Sequence, residues 1–395
     1  MFAPMEIKYG LISADSHAAF HRDDFTSRMS AQKWGDRIPH VASKEEGGQR
    51  VDGWSIYGRP PRGDVCNCPA VMGDPFPTWP KVWEEVPATA FDPMKRLKAL
   101  DIDRVDGEVL FPNPPGGSYY EYGDAEFELA CIQTYNDVLA DWRHASDRYL
   151  PVAAMPYLSD PRSAAHEIER AVTKGHRGVN LPGKMPKGLP HIAAPHWYPV
   201  WDVCQELNVP IHFHGSAGLD TAASAKKWSG YSVRQAHAAA TSTSAVTPAQ
   251  IIPHFIFSGV AERFPRLKIV FAEAGIGGLN YVIAACDHEW ETRRLWTHGL
   301  ATRPSEAVRR QMYVNFWFEA EGIKLREDIG LDNIMWESDF PHVASYYPRS
   351  WQEIERVLAG ISAPDRRKLL YENALKVYDI EGTVRIETSS PSLPV

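Results

Sequence analysis

The feature that most constrains the fold is an alternation of short apolar runs with longer amphipathic segments. The short runs are rich in β-branched and aromatic residues, and the longer segments carry apolar residues at three-to-four spacing, as in Ala164, Ile168 and Ala171. Short runs of this kind are typical of strands, and three-to-four spacing is typical of helices that cover a sheet with one face. The alternation therefore predicts repeated βα units around a parallel sheet.

Eight candidate strands can be counted along the chain. They are Gly10–Ala14, Gly107–Phe111, Leu150–Met155, Gly178–Leu181, Val209–His214, Lys268–Glu273, Met312–Phe318 and Asn333–Ser338. The predicted helices are Asp124–Ala145, Asp160–Lys174, Trp197–Leu207, Thr247–Phe264, Gly277–Trp296 and Trp351–Leu358. Because no Gly-rich GxGxxG turn follows an early strand, this α/β pattern favours a closed (β/α)8 TIM-like barrel over an open doubly wound sheet.

The first βα unit is unusually long, since about 90 residues separate the first two predicted strands. Residues 35–90 carry the excess, are rich in Pro, Gly and Trp, and show no sustained periodicity. We expect them to form an insertion after the first strand, or a lid over one face of the barrel. Residues 1–380 are then predicted to form a single barrel, and residues 381–395 a C-terminal tail.

Composition excludes several classes of partner. The formal net charge is −8, and no block of Lys and Arg could neutralise a row of phosphates, so nucleic acid is not an expected partner. The chain has neither a long apolar run nor the pattern of a signal peptide, which predicts no membrane association and a cytoplasmic location. Five scattered cysteines, including the close pair Cys66 and Cys68, indicate reduced thiols rather than a disulfide framework.

Ionisable residues collect at the ends of the predicted strands, where a (β/α)8 barrel carries its active site. Asp15 and His17 follow the first strand, His214 ends the fifth, Glu273 ends the sixth, and Asp339 follows the eighth. A buried carboxylate or imidazole without a partner is costly, and a metal ion would offset that cost. Imidazoles and carboxylates are ligands of Zn²⁺, Mn²⁺ and Fe²⁺, so the pattern predicts a metal site.

Spacing along the strands narrows the choice of ligands. Two residues separated by one position point to the same side of a strand, so Asp15 and His17 can face the barrel axis together. The same holds for His212 and His214, of which His214 lies nearer the strand end and is the preferred ligand. His212 alone is more typical of a packed, hydrogen-bonded histidine.

Each of these residues also has a structural interpretation. An Asp-x-His sequence commonly lies in a surface turn, Asp339 could cap the helix that follows it, and Glu273 could interact with a helix N-terminus. The metal-site hypothesis is favoured because four such residues each fall at the expected end of a different strand.

Several longer motifs carry a family resemblance. They are "SADSH" (13–17), "GHRGVNLPG" (175–183), "ERFPRLKIVFAE" (262–273) and "NIMWESDFPH" (333–342). Together they resemble the metal-dependent amidohydrolase superfamily, in the branch that contains aminocarboxymuconate-semialdehyde decarboxylase and γ-resorcylate decarboxylase. The resemblance implies that Asp15, His17, His214 and Asp339 hold one divalent ion. Zn²⁺ is the first expectation for that ion, with Mn²⁺ or Fe²⁺ as alternatives, and the branch also implies a homodimer.

Two positions depart from the pattern of that branch. Glu273 stands where many members carry a catalytic histidine, an exchange similar to that in C–C hydrolases of meta-cleavage products. Phe20 stands three residues after His17, where the subgroup with the insertion often has an acidic residue. The neighbouring His21 could replace a ligand or lie at the surface.

These observations leave three functions open. The first is hydrolysis of a C–C, amide or lactone bond in a small, aromatic-derived acid by a metal-activated water, with Glu273 or Asp339 as general base. The alternative is metal-dependent, non-oxidative decarboxylation of an aromatic or muconate-type acid, with Asp339 as the acid. The third is a metal-free scaffold. His342 is predicted to orient Asp339 or the substrate.

The expected partner is a small-molecule substrate with a carboxylate. Arg59 and Arg62 in the insertion, and Arg234 after the fifth strand, are candidates to bind that carboxylate through a bidentate pair. Phe20 is placed with them as a fourth substrate-binding candidate.

Overall fold

The computed structural model describes residues 4–113, 115, 119–153, 157–182, 185–215, 230, 232–243 and 246–386. The chain divides into two compact units. Unit 1 comprises Met1–Val179, Ser338–Glu353 and Ile380–Val395, and unit 2 comprises Asn180–Glu337 and Ile354–Asp379. Among the described helices, none combines the length and the apolar character that a membrane span requires.

Twelve strands lie in the described residues. They are β1 Met5–Ile7, β2 Ile12–Ala18, β3 His40–Glu46, β4 Gln49–Ser55, β5 Gly107–Pro112, β6 Tyr149–Ala153, β7 Gly178–Leu181, β8 Ile211–His214, β9 Ile269–Ala272, β10 Met312–Phe316, β11 Ile334–Trp336 and β12 Val384–Ile386. Eight of them follow the sheet order β2-β5-β6-β7-β8-β9-β10-β11. Parallel pairing joins β2, β5, β6 and the start of β7 in unit 1, and β8 to β11 in unit 2. Each predicted strand corresponds to one strand of this sheet.

Helices separate the strands, as the periodicity predicted. The α-helices are Ala31–Trp34, Ala88–Phe91, Pro93–Asp103, Ala125–Ala145, Pro161–Thr173, Tyr198–Glu206, Val233–Thr241, Val246–Phe257, Val260–Arg263, Leu279–Thr292, Pro304–Gln311, Ala320–Ile323, Arg326–Ile329, Ser350–Val357, Ala363–Arg367 and Asn373–Val377, and Lys368–Glu372 is a π-helix. Asp92, Asp124 and Asp160 cap three of them through their carboxylates. The helix predicted over Thr247–Phe264 is interrupted, because Gly259 adopts a left-handed φ of 83°.

The first sheet strand differs most from its prediction. It was expected to end at Ala14, but β2 runs to Ala18 and all seven of its residues are buried. The strand continues because it has a partner on each side. Residues 16–18 pair in parallel with the end of β5. On the other side the segment after β11 pairs with it: the His17 N–H donates to the Phe340 carbonyl at 2.7 Å, and the Asp339 N–H donates to the Asp15 carbonyl at 3.1 Å. Asp15 and His17 therefore lie inside a strand rather than after it.

The insertion and the tail contain strands that periodicity did not predict. Within residues 35–90, β3 and β4 form an antiparallel hairpin whose turn is Gly47-Gly48, with φ of 60° and 76°. The predicted tail contains β12, which pairs in parallel with β1 in unit 1. Residues 387–395 lie outside the described residues. The lid function of the insertion and the extent of the single barrel remain predictions.

Candidate metal centre

Four ionisable side chains meet within unit 1. The Nε2 atom of His17 lies 3.1 Å from Oδ1 of Asp339 and 3.5 Å from Oδ1 of Asp15. His342 reaches the same carboxylate, with its Nδ1 atom 2.9 Å from Asp339 Oδ1. Its ring stacks on that of His17, with centroids 3.7 Å apart. One ligand atom each of His17, Asp339 and His342 lies within 4.8 Å of the others, so these three can share an ion.

The Nδ1 atom of His17 fixes the ring in the orientation that a ligand needs. It lies 2.8 Å from the carbonyl oxygen of Pro112, the last residue of β5. Because a carbonyl only accepts, Nδ1 must carry a proton. Nε2, on the side of Asp15 and Asp339, is therefore the nitrogen that can bind an ion. Metal-binding histidines are usually held in this way, with the second ring nitrogen donating to a carbonyl or carboxylate.

Burial and charge also fit a divalent cation. Asp15, His17 and Asp339 are each at most 1% exposed. Burial, and then the negative charge of Asp339, raise the pKa of Asp15 well above its ordinary value. Burial also acts to raise the pKa of Asp339, but His342 and His17 outweigh it and lower that pKa below its ordinary value. Two buried carboxylates lie here beside the imidazoles of His17 and His342. With neutral imidazoles the group lacks positive charge, which a divalent ion would supply.

The backbone at Asp339 is held in an uncommon conformation. Its φ is 50°, in the left-handed region that costs a residue other than glycine about 1–3 kcal/mol. The bond from the Asp339 N–H to the Asp15 carbonyl and one from the His342 N–H to the Asp339 carbonyl at 2.8 Å maintain it. Strain of this kind concentrates at functional sites, where the surrounding structure fixes the residue.

A second imidazole and carboxylate lie together in unit 2. His214 ends β8 and Glu273 directly follows β9, and these strands are paired in register. The Nε2 atom of His214 lies 3.8 Å from Oε2 of Glu273, and the two side chains are 18% and 24% exposed. Glu273 also has a left-handed φ of 49°, and its N–H donates to the carboxylate of Glu337 at 3.0 Å. The roles of His214 as a ligand and of Glu273 as a catalytic residue remain predictions.

Comparison with known proteins assigns the family. The sequence profile described as amidohydrolase matches residues 37–380. The chain belongs to the amidohydrolase family. A γ-resorcylate decarboxylase from Polaromonas sp. (strain JS666 / ATCC BAA-500) is 25% identical over 322 residues, which cover 76% of this amidohydrolase and 91% of the relative.

Solved structures of similar proteins confirm the fold. An amidohydrolase from Mycobacterium avium subsp. paratuberculosis K-10 superimposes with a TM-score of 0.74 at 20% identity, covering 94% of this chain and 99% of that one. A dihydroxybenzoic acid decarboxylase from Polaromonas sp. JS666, with bound manganese and 2-nitroresorcinol, gives a TM-score of 0.61 at 20% identity, covering 94% and 98%. The TIM-like barrel, the family and the assignment as an enzyme of this superfamily are thus confirmed.

The manganese in that structure bears on the metal expected here. The sequence placed zinc first and manganese second, whereas the similar structure contains manganese. The cluster of His17, Asp339 and His342 in this amidohydrolase can hold one divalent ion, and its identity is left to experiment.

The arginines predicted to bind substrate lie in different surroundings. Arg59 is half-buried, with its guanidinium 4.5 Å from the centre of the Tyr122 ring. Arg62 is exposed, and its backbone pairs with that of Trp54. Arg234 is exposed on the helix Val233–Thr241 of unit 2. Their binding of a substrate carboxylate remains a prediction.

Phe20 and His21 face opposite environments. Phe20 is 1% exposed and packs against Phe25 and Tyr135, at centroid distances of 5.6 and 5.1 Å. The side chain of His21 is 42% exposed, with its Nδ1 atom 3.6 Å from a carboxylate oxygen of Asp23. His21 thus takes the surface position that the sequence left open, and the substrate role of Phe20 remains a prediction.

Sequence reasoning missed a buried ion pair beside the cluster. Arg96, in the unpredicted helix Pro93–Asp103, makes two bonds of 2.9 Å to the carboxylate of Glu108 in β5. The available signal was Glu108 itself, since a charged residue inside the apolar run "GEVLF" requires a buried partner. His212, in contrast, is the packed histidine expected, fully buried with Nε2 3.0 Å from the Tyr378 hydroxyl.

Proposed function

We propose that this amidohydrolase is a divalent-metal-dependent, non-oxidative decarboxylase of a small aromatic or muconate-type carboxylic acid. One observation carries the proposal: the match to a γ-resorcylate decarboxylase extends over 91% of that relative. The buried cluster of His17, Asp339 and His342 supports it, because those donors suit an ion that binds a carboxylate. A cytoplasmic location and a homodimer remain predictions.

The ion, when bound, would supply positive charge that holds the substrate carboxylate and a neighbouring ring oxygen. His17, anchored by Pro112, would keep its Nε2 lone pair directed at that ion. Asp15 and Asp339 would complete the ligands contributed by unit 1. The sequence prediction that His214 is a further ligand is retained as part of the proposal.

Asp339 is proposed as the acid of the reaction. Because His342 and His17 lower its pKa in the protein alone, it must take up its proton in the complex with the substrate. It passes a proton to the ring carbon that carries the carboxylate, and the bond between that carbon and the carboxyl carbon then breaks. The electron pair of that bond returns to the ring and CO₂ leaves. Water then restores the proton to Asp339, and the hydroxide left behind combines with the released CO₂ as bicarbonate. His342, 2.9 Å from Asp339, holds the carboxyl group in the orientation for this transfer.

Hydrolysis is the second candidate, and Glu273 favours it. The carboxylate of Glu273 is partly exposed and lies beside His214, so it could take a proton from water as a general base. A decarboxylation needs no base to activate water, and Glu273 could serve it only by exchanging a proton with solvent. The two reactions therefore differ in which solvent atoms enter the organic product: hydrolysis adds an oxygen atom from water, whereas decarboxylation adds only a hydrogen.

The test uses the full-length protein loaded with Mn²⁺ and incubated with γ-resorcylate and related hydroxybenzoates in D₂O and in heavy-oxygen water. We expect release of CO₂, deuterium at the vacated ring carbon and no heavy oxygen in the organic product. Heavy oxygen in the organic product without CO₂ would overturn decarboxylation in favour of hydrolysis. Absence of bound metal from carefully purified protein would instead support the scaffold function.

A further inference from the structure

Arg96 lies at the junction of the two segments that carry the unit 1 cluster. It is fully buried, and its guanidinium lies 4.0 Å from the centre of the Phe340 ring. Nε and Nη2 each donate to the carboxylate of Glu108 at 2.9 Å. This bidentate pair neutralises the buried charge and fixes the plane of the guanidinium.

The remaining donors of Arg96 join the two segments directly. Nη1 donates to the His17 carbonyl at 3.2 Å, and Nη2 donates to the Phe340 carbonyl at 3.1 Å. His17 is itself a member of the cluster, and Phe340 directly follows Asp339. The guanidinium therefore spans the backbone of β2 and the backbone after β11 at the residues that carry the donor atoms.

Stability alone does not explain this buried ion pair. A buried ion pair seldom stabilises a fold more than apolar residues of similar size, because both charges lose their hydration. A planar fork that contacts two backbone carbonyls does, however, set the distance between them. Lysine cannot replace it, since an ammonium group is a single point charge without a fixed geometry.

We propose that Arg96, held by Glu108, is a positioning residue that sets the spacing of the metal ligands His17 and Asp339. The proposal rests on the proposed function, in that it requires the cluster to bind a divalent ion. Arg96 touches neither the ion nor the substrate in this account, and acts only through the backbone of the two segments.

The test compares metal affinity with stability in the full-length, metal-free protein. The variants are Arg96→Lys, Glu108→Gln and the control Arg170→Gln. The control removes the ion pairs of Arg170 with Glu167 and Asp137 in unit 1. Mn²⁺ affinity is measured by chelator competition, the geometry of bound Mn²⁺ by electron paramagnetic resonance, and Tm by circular dichroism without metal.

We expect Arg96→Lys to weaken Mn²⁺ binding about 10–100-fold, the usual loss for a residue that positions ligands, and to broaden the resonance spectrum. Glu108→Gln, which preserves shape, should weaken binding to a smaller extent. Arg170→Gln should lower Tm without changing the affinity.

Three outcomes would count against the proposal. Unchanged Mn²⁺ affinity in folded Arg96→Lys would overturn it and leave the proposed function intact. If Arg96→Lys does not fold, unchanged affinity in Glu108→Gln would overturn it equally. If the unmutated protein binds no divalent ion, the proposed function fails as well.

Discussion

Units 1 and 2 each carry an imidazole beside a carboxylate, and the two pairs are built differently. In unit 1, Nε2 of His17 lies 3.1 Å from Oδ1 of Asp339. Both side chains are almost fully buried and belong to segments joined by backbone hydrogen bonds. In unit 2, Nε2 of His214 lies 3.8 Å from Oε2 of Glu273, and each side chain keeps about a fifth of its surface exposed. A group that holds an ion needs a fixed position, whereas a group that takes up protons directly from solvent needs to be exposed. The comparison therefore predicts that Asp339 acts from a fixed position beside the ion, and that Glu273 is the carboxylate that exchanges protons with solvent.

The largest effect is expected for Asp339→Asn. The amide keeps the shape of the side chain but removes its charge and its ability to act as an acid, so both metal binding and proton delivery should fail. We expect kcat/KM to fall by more than about 10⁴-fold, beyond the range that one proton-transfer group contributes. Metal content by mass spectrometry and kinetics with γ-resorcylate check this, and full metal content in the variant would contradict it.

Glu273→Gln tests whether the carboxylate of unit 2 has a different role from that of Asp339 in unit 1. If Glu273 transfers protons and does not hold the ion, the variant retains its metal and loses activity by about 100-fold, the low end for such a group, because water can partly replace a half-exposed carboxylate. The same assays apply, with Asp339→Asn as the reference for metal loss. If the variant loses its metal together with its activity, Glu273 also holds the ion, and the two carboxylates do not differ in role.

The sheet could be predicted from sequence because its strands have a strong local signal. Gly178–Leu181 has the predicted bounds, since a short apolar run between a helix and Pro182 leaves little freedom. The end of β2 could not be predicted, because its last residues pair with β5 on one side and with residues 338–340 on the other, and both are distant in sequence. The hydrogen bond from Ser13 to Ser338, buried where the register of β2 shifts, has the same long-range origin.

The candidate site was predictable to a similar extent. Residue type and strand position were enough to select Asp15, His17 and Asp339, which the structure brings together. The Pro112 carbonyl that orients His17 could not be selected, because any residue carries a carbonyl and only the fold decides which one is near. Arg96 was missed for a related reason: its proposed role depends on contacts with two backbone segments that are distant from it in sequence.

His176 offers a matched test of what burial does to an imidazole of unit 1. It is fully buried, and its Nε2 lies 2.8 Å from the Asn136 carbonyl, so like His17 it is anchored on a backbone oxygen. Burial lowers the pKa of His176 from 6.5 to about 4. The folded protein thus keeps it neutral while the unfolded chain takes up a proton, so its contribution is complete above pH 6.5 and is lost as the pH falls towards 4.

That contribution amounts to at most about 3 kcal/mol of unfolding free energy. Urea denaturation of the metal-free protein between pH 4 and 8 measures it. His176→Gln is the control, because it cannot titrate and should give a flatter dependence in this window. Equal slopes for both proteins would show that the anchored histidine does not resist protonation.

The smallest expected effect concerns Gly215, which directly follows His214. Its φ is +67°, and a β-carbon there would lie 3.0 Å from Oε2 of Glu273. Gly215→Ala should lower the unfolding free energy by about 1–2 kcal/mol through the left-handed backbone alone. Gly360, also in unit 2 with φ +77° and open space around it, makes Gly360→Ala the matched control. Because only the first variant displaces the Glu273 carboxylate, both should lose stability in urea denaturation but only Gly215→Ala should lower kcat. Equal kcat in the two variants would mean that activity does not depend on the position of the Glu273 carboxylate relative to His214.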